Sequence, residues 1–137
     1  MMFLDWLRKV FVGTVDIPDP KPRITINNII IDGNSVIIKS PWSKLKRGSV
    51  QNTESMNPVI DAGHTALYAE DFDKNDLQVG DIVVAQRPSL WVLHRIVEIG
   101  FDDKGRYFRT KGDNVAQVDP VKVRDIDLKW LVFGIIY

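Results

Sequence analysis

The chain has 137 residues, of which 45% are hydrophobic and 26% are charged, as in an ordinary globular domain with its own core. Its 18 basic and 18 acidic residues balance to zero net charge, so no basic excess points to nucleic acid. The absence of cysteine excludes disulfides, thiolate catalysis and cysteine-bound zinc. Two histidines, His64 and His94, are too few for a histidine-rich metal site. We therefore expect one domain without metal or cofactor.

Residues 1–22 are predicted to form a separate N-terminal segment. Five apolar side chains recur at helical spacing and would share one face of a short helix: Phe3, Leu4, Leu7, Val10 and Phe11. This helix is expected to pack on the domain or on a larger protein assembly. The alternatives are peripheral contact with a membrane interface, or a disordered end. Residues 16–22 are rich in proline and predict a stiff, extended linker.

The sequence contains neither a secretory signal nor the roughly 20 consecutive apolar residues of a membrane span. We therefore expect a cytoplasmic protein without a transmembrane anchor, either free, peripheral to a membrane or part of an assembly.

Residues 23–137 are predicted to form one mainly β domain. β-branched segments on both sides of Asp32-Gly33-Asn34 predict an added β-hairpin between Arg23 and Lys39. Residues 41–48 predict a solvated basic loop. Further strands are predicted at residues 65–69, 82–86, 90–99, 107–110 and 131–137, with turns at 77–81 and 102–105. Several short strands with frequent turns indicate a compact barrel or sandwich-like domain.

Five short motifs follow one another along residues 50–137 and together predict a nucleophile, a base and carboxylates. They are Ser55-Met56-Asn57-Pro58, Gly80-Asp81-Ile82-Val83-Val84, His94-Arg95, Lys111-Gly112-Asp113-Asn114 and Asp119. A serine hydroxyl is a poor nucleophile at neutral pH and needs a neighbouring group to take its proton. Serine, histidine and aspartate fill these roles on several unrelated folds. The motifs therefore predict a small serine peptidase.

The same motifs resemble the catalytic domain of type I signal peptidases, in the branch from the endoplasmic reticulum and archaea that uses serine and histidine. The resemblance covers residues 50–137 and implies the compact β fold that signal peptidases share with the self-cleaving SOS repressors. It implies Ser55 as nucleophile and His94 as general base. It also implies that a carboxylate, Asp119 or Asp113, assists the histidine. We favour Asp119 as the partner of His94 and expect Asp113 to hold its own turn.

The resemblance also implies how the transition state and the substrate are bound. The backbone N–H of Ser55 and the hydroxyl of Thr53 would form the oxyanion hole. A peptide or protein substrate would bind as an added strand between residues 52–54 and the strand before His94. The family usually carries Ser-Gly directly before the nucleophile, where this chain has Thr53-Glu54. A carboxylate at Glu54 would oppose a developing oxyanion unless it points away.

Other residues of interest have structural interpretations. His64 is expected to be a turn residue, with a second base near Ser55 as the alternative. Trp42, Trp91 and Trp130 are expected to pack in the core or at a sheet edge rather than to stack on nucleic acid.

Two alternative functions remain open at this stage. The first is a structural or assembly protein that reuses the peptidase fold without turnover, favoured by Glu54, by the N-terminal helix and by the lack of an anchor. The second is a self-processing protein that cuts its own chain, most accessibly in the loop between Lys39 and Val50.

Overall fold

The computed structural model describes residues 19–137, and the predicted N-terminal helix lies outside this range. The described chain is mainly β, as predicted, with eight strands. In chain order they are β1 (Ile29–Asp32), β2 (Ser35–Ile38), β3 (Leu45–Ser49), β4 (Thr65–Ala69), β5 (Ile82–Gln86), β6 (Trp91–Asp102), β7 (Gly105–Lys111) and β8 (Leu128–Ile136). Two 3₁₀ turns, Ile26–Asn28 and Lys74–Asp76, complete the regular structure of the described residues. None of the helical segments between residues 19 and 137 could span a membrane.

Six strands form one antiparallel sheet in the order β3-β4-β8-β5-β6-β7. Because side chains alternate along a strand, the central strand β5 contributes to a core on each face of the sheet. Val83 and Ala85 pack with Ile96 and Phe108 in the larger cluster. Ile82 packs on the opposite face beneath the loop of residues 50–63. The sheet is therefore covered on both faces near its middle.

Strands β1 and β2 form the predicted hairpin, which is a separate two-stranded sheet. The register pairs Asp32 with Ser35, and Gly33 at the turn has a φ of +59°, which glycine adopts without steric cost. Most of the aliphatic side chains of the hairpin are exposed, so its apolar sequence does not mark a buried strand. Arg23, just before the hairpin, connects it to the main sheet by pairing with Asp81, whose carboxylate it contacts at 2.7 Å.

The prediction of a basic loop at residues 41–48 is wrong in its second half, because residues 45–49 form strand β3. This strand pairs with β4 along its whole length, from Leu45 opposite Ala69 to Ser49 opposite Thr65. It lies at the edge of the sheet and is largely exposed. Edge strands tolerate lysine and arginine, so their sequences lack the hydrophobic alternation on which the prediction relied.

The other predicted strands are present, and several are longer than predicted. The strands at 65–69 and 82–86 have the predicted bounds. Strand β6 continues to Asp102 and β7 begins at Gly105, so only two residues form the turn between them. Strand β8 begins at Leu128 instead of Leu131. Strand ends are the part of an element that a sequence pattern defines least well.

Candidate active site

Ser55 lies in a turn that is anchored to the core by the residues that follow it. The next residue, Met56, and Ile60 are buried at 3% and 1% exposure, and they pack against Ile82 of β5. The carbonyl of Ser55 accepts a hydrogen bond from the backbone N–H of Asn114 at 2.8 Å. Burial of the apolar side chains therefore holds the polar Ser55 at the surface of the loop, beside residues 112–114.

His94 lies on β6, opposite Val83 of β5, and its ring bridges two of the predicted residues. Its Nε2 atom is 3.3 Å from Ser55 Oγ, and its Nδ1 atom is 2.7 Å from Asp119 Oδ2. An ionised carboxylate can only accept hydrogen bonds, so in the neutral imidazole the proton sits on Nδ1. Nε2 is then the free acceptor that faces the Ser55 hydroxyl.

Asp119 is held in place by Thr110 of β7. Thr110 Oγ1 donates to Asp119 Oδ2 at 2.6 Å, and the Asp119 N–H donates to the Thr110 carbonyl at 2.8 Å. Thr110 is buried. The same carboxylate oxygen thus accepts from both His94 and Thr110, which leaves the aspartate little freedom to rotate away from the imidazole.

Asp113 contacts Arg95 and not the imidazole. Its two carboxylate oxygens accept from Arg95 Nε at 2.8 Å and Nη2 at 2.7 Å. Arg95 also donates through Nη1 to the carbonyl of Gly80 at 2.7 Å. The hydrogen-bonded carboxylate of Asp113 raises the pKa of the Arg95 guanidinium. The pair joins the loop after β7 to β6 and to the turn before β5, so the loop that touches Ser55 has a fixed position.

Two neighbours of the serine have unusual local geometry. A Cβ added to Gly112 would lie 2.6 Å from the Ser55 carbonyl and 3.2 Å from His94 Nε2, so only glycine fits there. Glu54 has a φ of +59°, in the left-handed region that costs a residue with a side chain roughly 1 kcal/mol or more. Its carbonyl accepts from the Asn57 N–H and from Asn114 Nδ2. These two hydrogen bonds offset the strain and hold the backbone that leads into Ser55.

The candidate oxyanion donors are close to the serine. Thr53 Oγ1 lies 3.3 Å from Ser55 Oγ. The backbone N–H of Ser55 donates no hydrogen bond to another residue in the described range. The Ser55 N–H therefore remains free to bind an oxygen atom next to Ser55 Oγ, and the Thr53 hydroxyl, which shares a hydrogen bond with Ser55 Oγ, lies beside it.

The structure separates the predicted site residues into two groups. Ser55, His94, Asp119 and Thr53 lie in one connected chain of contacts. Asp113 belongs to the ion pair behind them. His64 lies in a turn, as expected, where its Nδ1 accepts from the Asp61 N–H and its ring packs edge-on against Tyr137. In residues 19–137 no three histidine, aspartate or glutamate side chains cluster closely enough to hold a metal ion.

Sequence reasoning did not assign the supporting roles of three residues, Arg95, Gly112 and Thr110. Arg95 had a signal, since it is a charged residue directly after His94, among the apolar residues of the first half of β6. Gly112 lies in a predicted motif, but its close approach to Ser55 depends on a contact across 57 positions of the chain. Thr110 had no signal, because a threonine in a strand is ordinary.

Comparison with known proteins yields a partial match. Signal peptidase I W of Bacillus subtilis (strain 168) is 37% identical to this chain over 76 residues, which cover 55% of this chain and 40% of that protein. The chain thus spans less than half the length of this curated relative. No family model matches the chain. No solved structure matches it significantly. The similarity supports a signal-peptidase-like relationship over about half of the chain.

Proposed function

We propose that this protein is a serine endopeptidase of the signal-peptidase type, with Ser55 as nucleophile and His94 as general base. The observation that carries the proposal is the continuous contact from Asp119 through His94 to Ser55. The partial similarity to a protein named a signal peptidase supports peptidase activity independently of this geometry. A distance of 3.3 Å between His94 Nε2 and Ser55 Oγ is long for a hydrogen bond, as is common before substrate binds.

The proposed reaction begins when Ser55 Oγ attacks the carbonyl carbon of a peptide bond and His94 Nε2 takes the hydroxyl proton. The positive charge that forms on the imidazole is stabilised by Asp119. The negative charge on the carbonyl oxygen is stabilised by the Ser55 N–H and the Thr53 hydroxyl. His94 then gives its proton to the leaving amine, which leaves an ester between the peptide and Ser55. A water molecule, deprotonated by His94, hydrolyses this ester and restores the enzyme.

The substrate is proposed to bind at the edge of β6 that faces away from β5. Ile96 exchanges hydrogen bonds with Gly80 and Asp81, and the Leu90 carbonyl accepts from Arg87, so both residues point toward the β5 side. By the alternation of an antiparallel strand, the N–H and C=O groups of Trp91 and Leu93 point the other way.

No strand covers this edge within the described residues, because β7 ends at Lys111, opposite Arg95. An extended peptide at this edge would run past His94 and Ser55 and gain main-chain hydrogen bonds.

The experiment that tests the proposal measures cleavage of a peptide library derived from a cell lysate, with new termini identified by mass spectrometry. The wild type is expected to produce new termini, and Ser55→Ala and His94→Ala are expected to produce none above background. Asp119→Asn is expected to reduce the rate by about 10³ to 10⁴, because the imidazole loses the partner that fixes its tautomer. His64→Ala serves as the matched control and is expected to retain full activity.

Labelling of the wild type by a serine phosphonate, measured by intact mass, provides a second readout. Modification at Ser55 that is absent in His94→Ala would demonstrate an activated hydroxyl without requiring the correct substrate. A folded wild type that neither cleaves the library nor labels above Ser55→Ala would overturn the proposal. The non-catalytic assembly protein would then be the better hypothesis.

A further inference from the structure

Three aromatic side chains form a row across one face of the sheet, which we call the aromatic row: Trp91 of β6, Trp130 of β8 and Tyr68 of β4. The ring centroids of Trp91 and Trp130 are 4.6 Å apart, and those of Trp130 and Tyr68 are 5.3 Å apart. Tyr68 is buried, whereas Trp91 keeps 51% of its surface exposed. The sheet thus presents an indole to solvent that is supported from behind by a second indole.

The aromatic row is held rigidly by polar contacts at its middle member, Trp130. Trp130 Nε1 donates to Glu70 Oε1 at 3.1 Å, which fixes the orientation of the indole. Lys46 Nζ contacts the same Glu70 oxygen at 2.6 Å and lies 5.4 Å from the centre of the Trp130 ring. A large side chain with few rotatable bonds loses little conformational entropy when it binds a ligand, and here the support is already in place.

Trp91 also belongs to the edge at which the proposed substrate would bind. Its side chain shares a sheet face with Leu93, two residues along the strand. It is three residues from His94, or about 10 Å at the usual rise of a strand. A peptide residue paired with Trp91 would therefore lie about three residues along the substrate from the bond next to Ser55.

The charges around the aromatic row decide which side chain would fit there. The Glu70 carboxylate is paired with Lys46 and also accepts from Trp130, both at Oε1, so much of its charge is already compensated. The Lys46 ammonium would repel a substrate cation. The exposed face of the Trp91 indole favours an aromatic ring, since offset or edge-on aromatic pairs gain energy beyond their buried area.

We propose that the aromatic row is a specificity site that selects an aromatic side chain in the peptide, about three residues from the bond to be cut. The location rests on the proposed function, whereas the preference for an aromatic side chain rests on the row itself. Cross-strand pairs between aromatic residues are among the contacts that stabilise neighbouring strands, and Trp91, the outermost member of the row, would face the added strand of a bound peptide.

The test measures binding to the Ser55→Ala protein, which holds a peptide without cutting it. The probe is a positional-scanning array of extended dodecapeptides in which one position at a time is fixed as Phe, Tyr, Trp, Leu, Lys, Glu or Ser. One position is expected to prefer aromatic residues over serine by about tenfold. The additional change Trp91→Ala is expected to remove this preference, while Phe101→Ala, an exposed aromatic at the far end of the same strand, is expected to leave it intact.

Each outcome decides between the two proposals. Absence of an aromatic preference, or a preference that survives Trp91→Ala, would overturn the assignment of the aromatic row. A preference for lysine at the same position would also overturn it. Tight, Trp91-dependent binding together with a wild type that cleaves none of the bound peptides would uphold the aromatic row and reject the peptidase.

Discussion

At the scale of single residues, the site depends on side chains that constrain one another over short distances. His94 has both ring nitrogens engaged, one by Asp119 and one by Ser55, so its tautomer and its orientation are set together. Gly112 permits this arrangement by leaving space against the Ser55 carbonyl. Glu54 is the residue that fits least well, because it combines a left-handed backbone with a negative charge directly before the proposed nucleophile, Ser55.

Replacement of Glu54 should therefore raise activity. Glu54→Gln removes the charge that opposes the oxyanion, and we expect turnover to increase by about threefold to tenfold, as for a solvent-exposed charge at moderate distance. Glu54→Gly should give the same gain and also relieve the strained φ. The rates are compared by cleavage of the same peptide substrate, and thermal unfolding separates the charge effect from the backbone effect. A lower rate in Glu54→Gln would mean that the carboxylate assists the reaction.

At the scale of the elements, ion pairs hold the loops around the site against the sheet. Arg95 of β6 binds Asp113 in the loop after β7, and both side chains are mostly buried. A more exposed pair between β6 and β7, Arg109 and Glu98 at 3.7 Å, provides a comparison with less burial. Removal of one partner from a buried pair leaves a charge without compensation, which costs far more than the loss of a surface contact.

A double-mutant cycle on Arg95→Ala and Asp113→Ala should show this coupling. Each single change is expected to lower the free energy of unfolding by about 2–3 kcal/mol, with a coupling energy above about 1 kcal/mol. The same cycle on Arg109 and Glu98 should give a coupling of about 0.5 kcal/mol or less. Urea denaturation supplies the four free energies in each cycle. Equal couplings for the two pairs would show that Arg95 does not anchor the loop.

The start of β3 is tied to the end of β4 by Asp71. Its carboxylate accepts from the Ser43 hydroxyl at 2.7 Å and from the backbone N–H groups of Ser43 and Lys44 at 2.9 and 3.0 Å. The Ser43 hydroxyl is the main cause of a pKa lowered to about 2 for Asp71. A carboxylate with a lowered pKa stabilises the fold above its unfolded pKa, near 3.9, and this contribution is lost as the pH falls through about 2.

The change Ser43→Ala should therefore destabilise the protein at neutral pH, and the difference from wild type should shrink between pH 4 and pH 2. Denaturation at several pH values measures the difference, and a carboxyl titration by NMR should show the pKa of Asp71 rising in the variant. A difference that stays constant down to pH 2 would exclude Asp71 as the partner of Ser43.

At the scale of the whole molecule, zero net charge is combined with an exposed aliphatic hairpin. Ile29 pairs with Ile38 and Ile31 pairs with Val36, so these four side chains share one face of the two-stranded sheet. Ile31 and Val36 are both more than 60% exposed. A protein with little net charge and an exposed apolar strand face tends to associate.

Lysines on this face should reduce association. The double change Ile31→Lys and Val36→Lys is expected to lower the average mass in sedimentation at neutral pH and to raise solubility. The matched control is Val121→Lys with Ile126→Lys, which adds the same charge at exposed apolar residues outside the hairpin. If the control variant gained as much, net charge alone would account for the effect, and the hairpin face would have no special role.

The mainly β class and the hairpin around Gly33 could be predicted from the sequence alone. The motifs that contain Ser55, His94 and Asp119 could be identified there as well. These features depend on local properties: side-chain alternation, turn residues and spacing along the chain. The same local signals failed at β3, where pairing with β4 turns a charged stretch into an edge strand. They also left open which aspartate faces His94.

The tertiary structure was needed to show that Asp119 contacts His94 and that Asp113 contacts Arg95. The two aspartates are six positions apart, and their roles depend on where β7 ends and how the following loop returns to Thr110. The aromatic row of Trp91, Trp130 and Tyr68 also depends on the tertiary structure, since the three residues lie on strands that are distant in the sequence. Such contacts arise from strand order and register, which no short segment of sequence encodes.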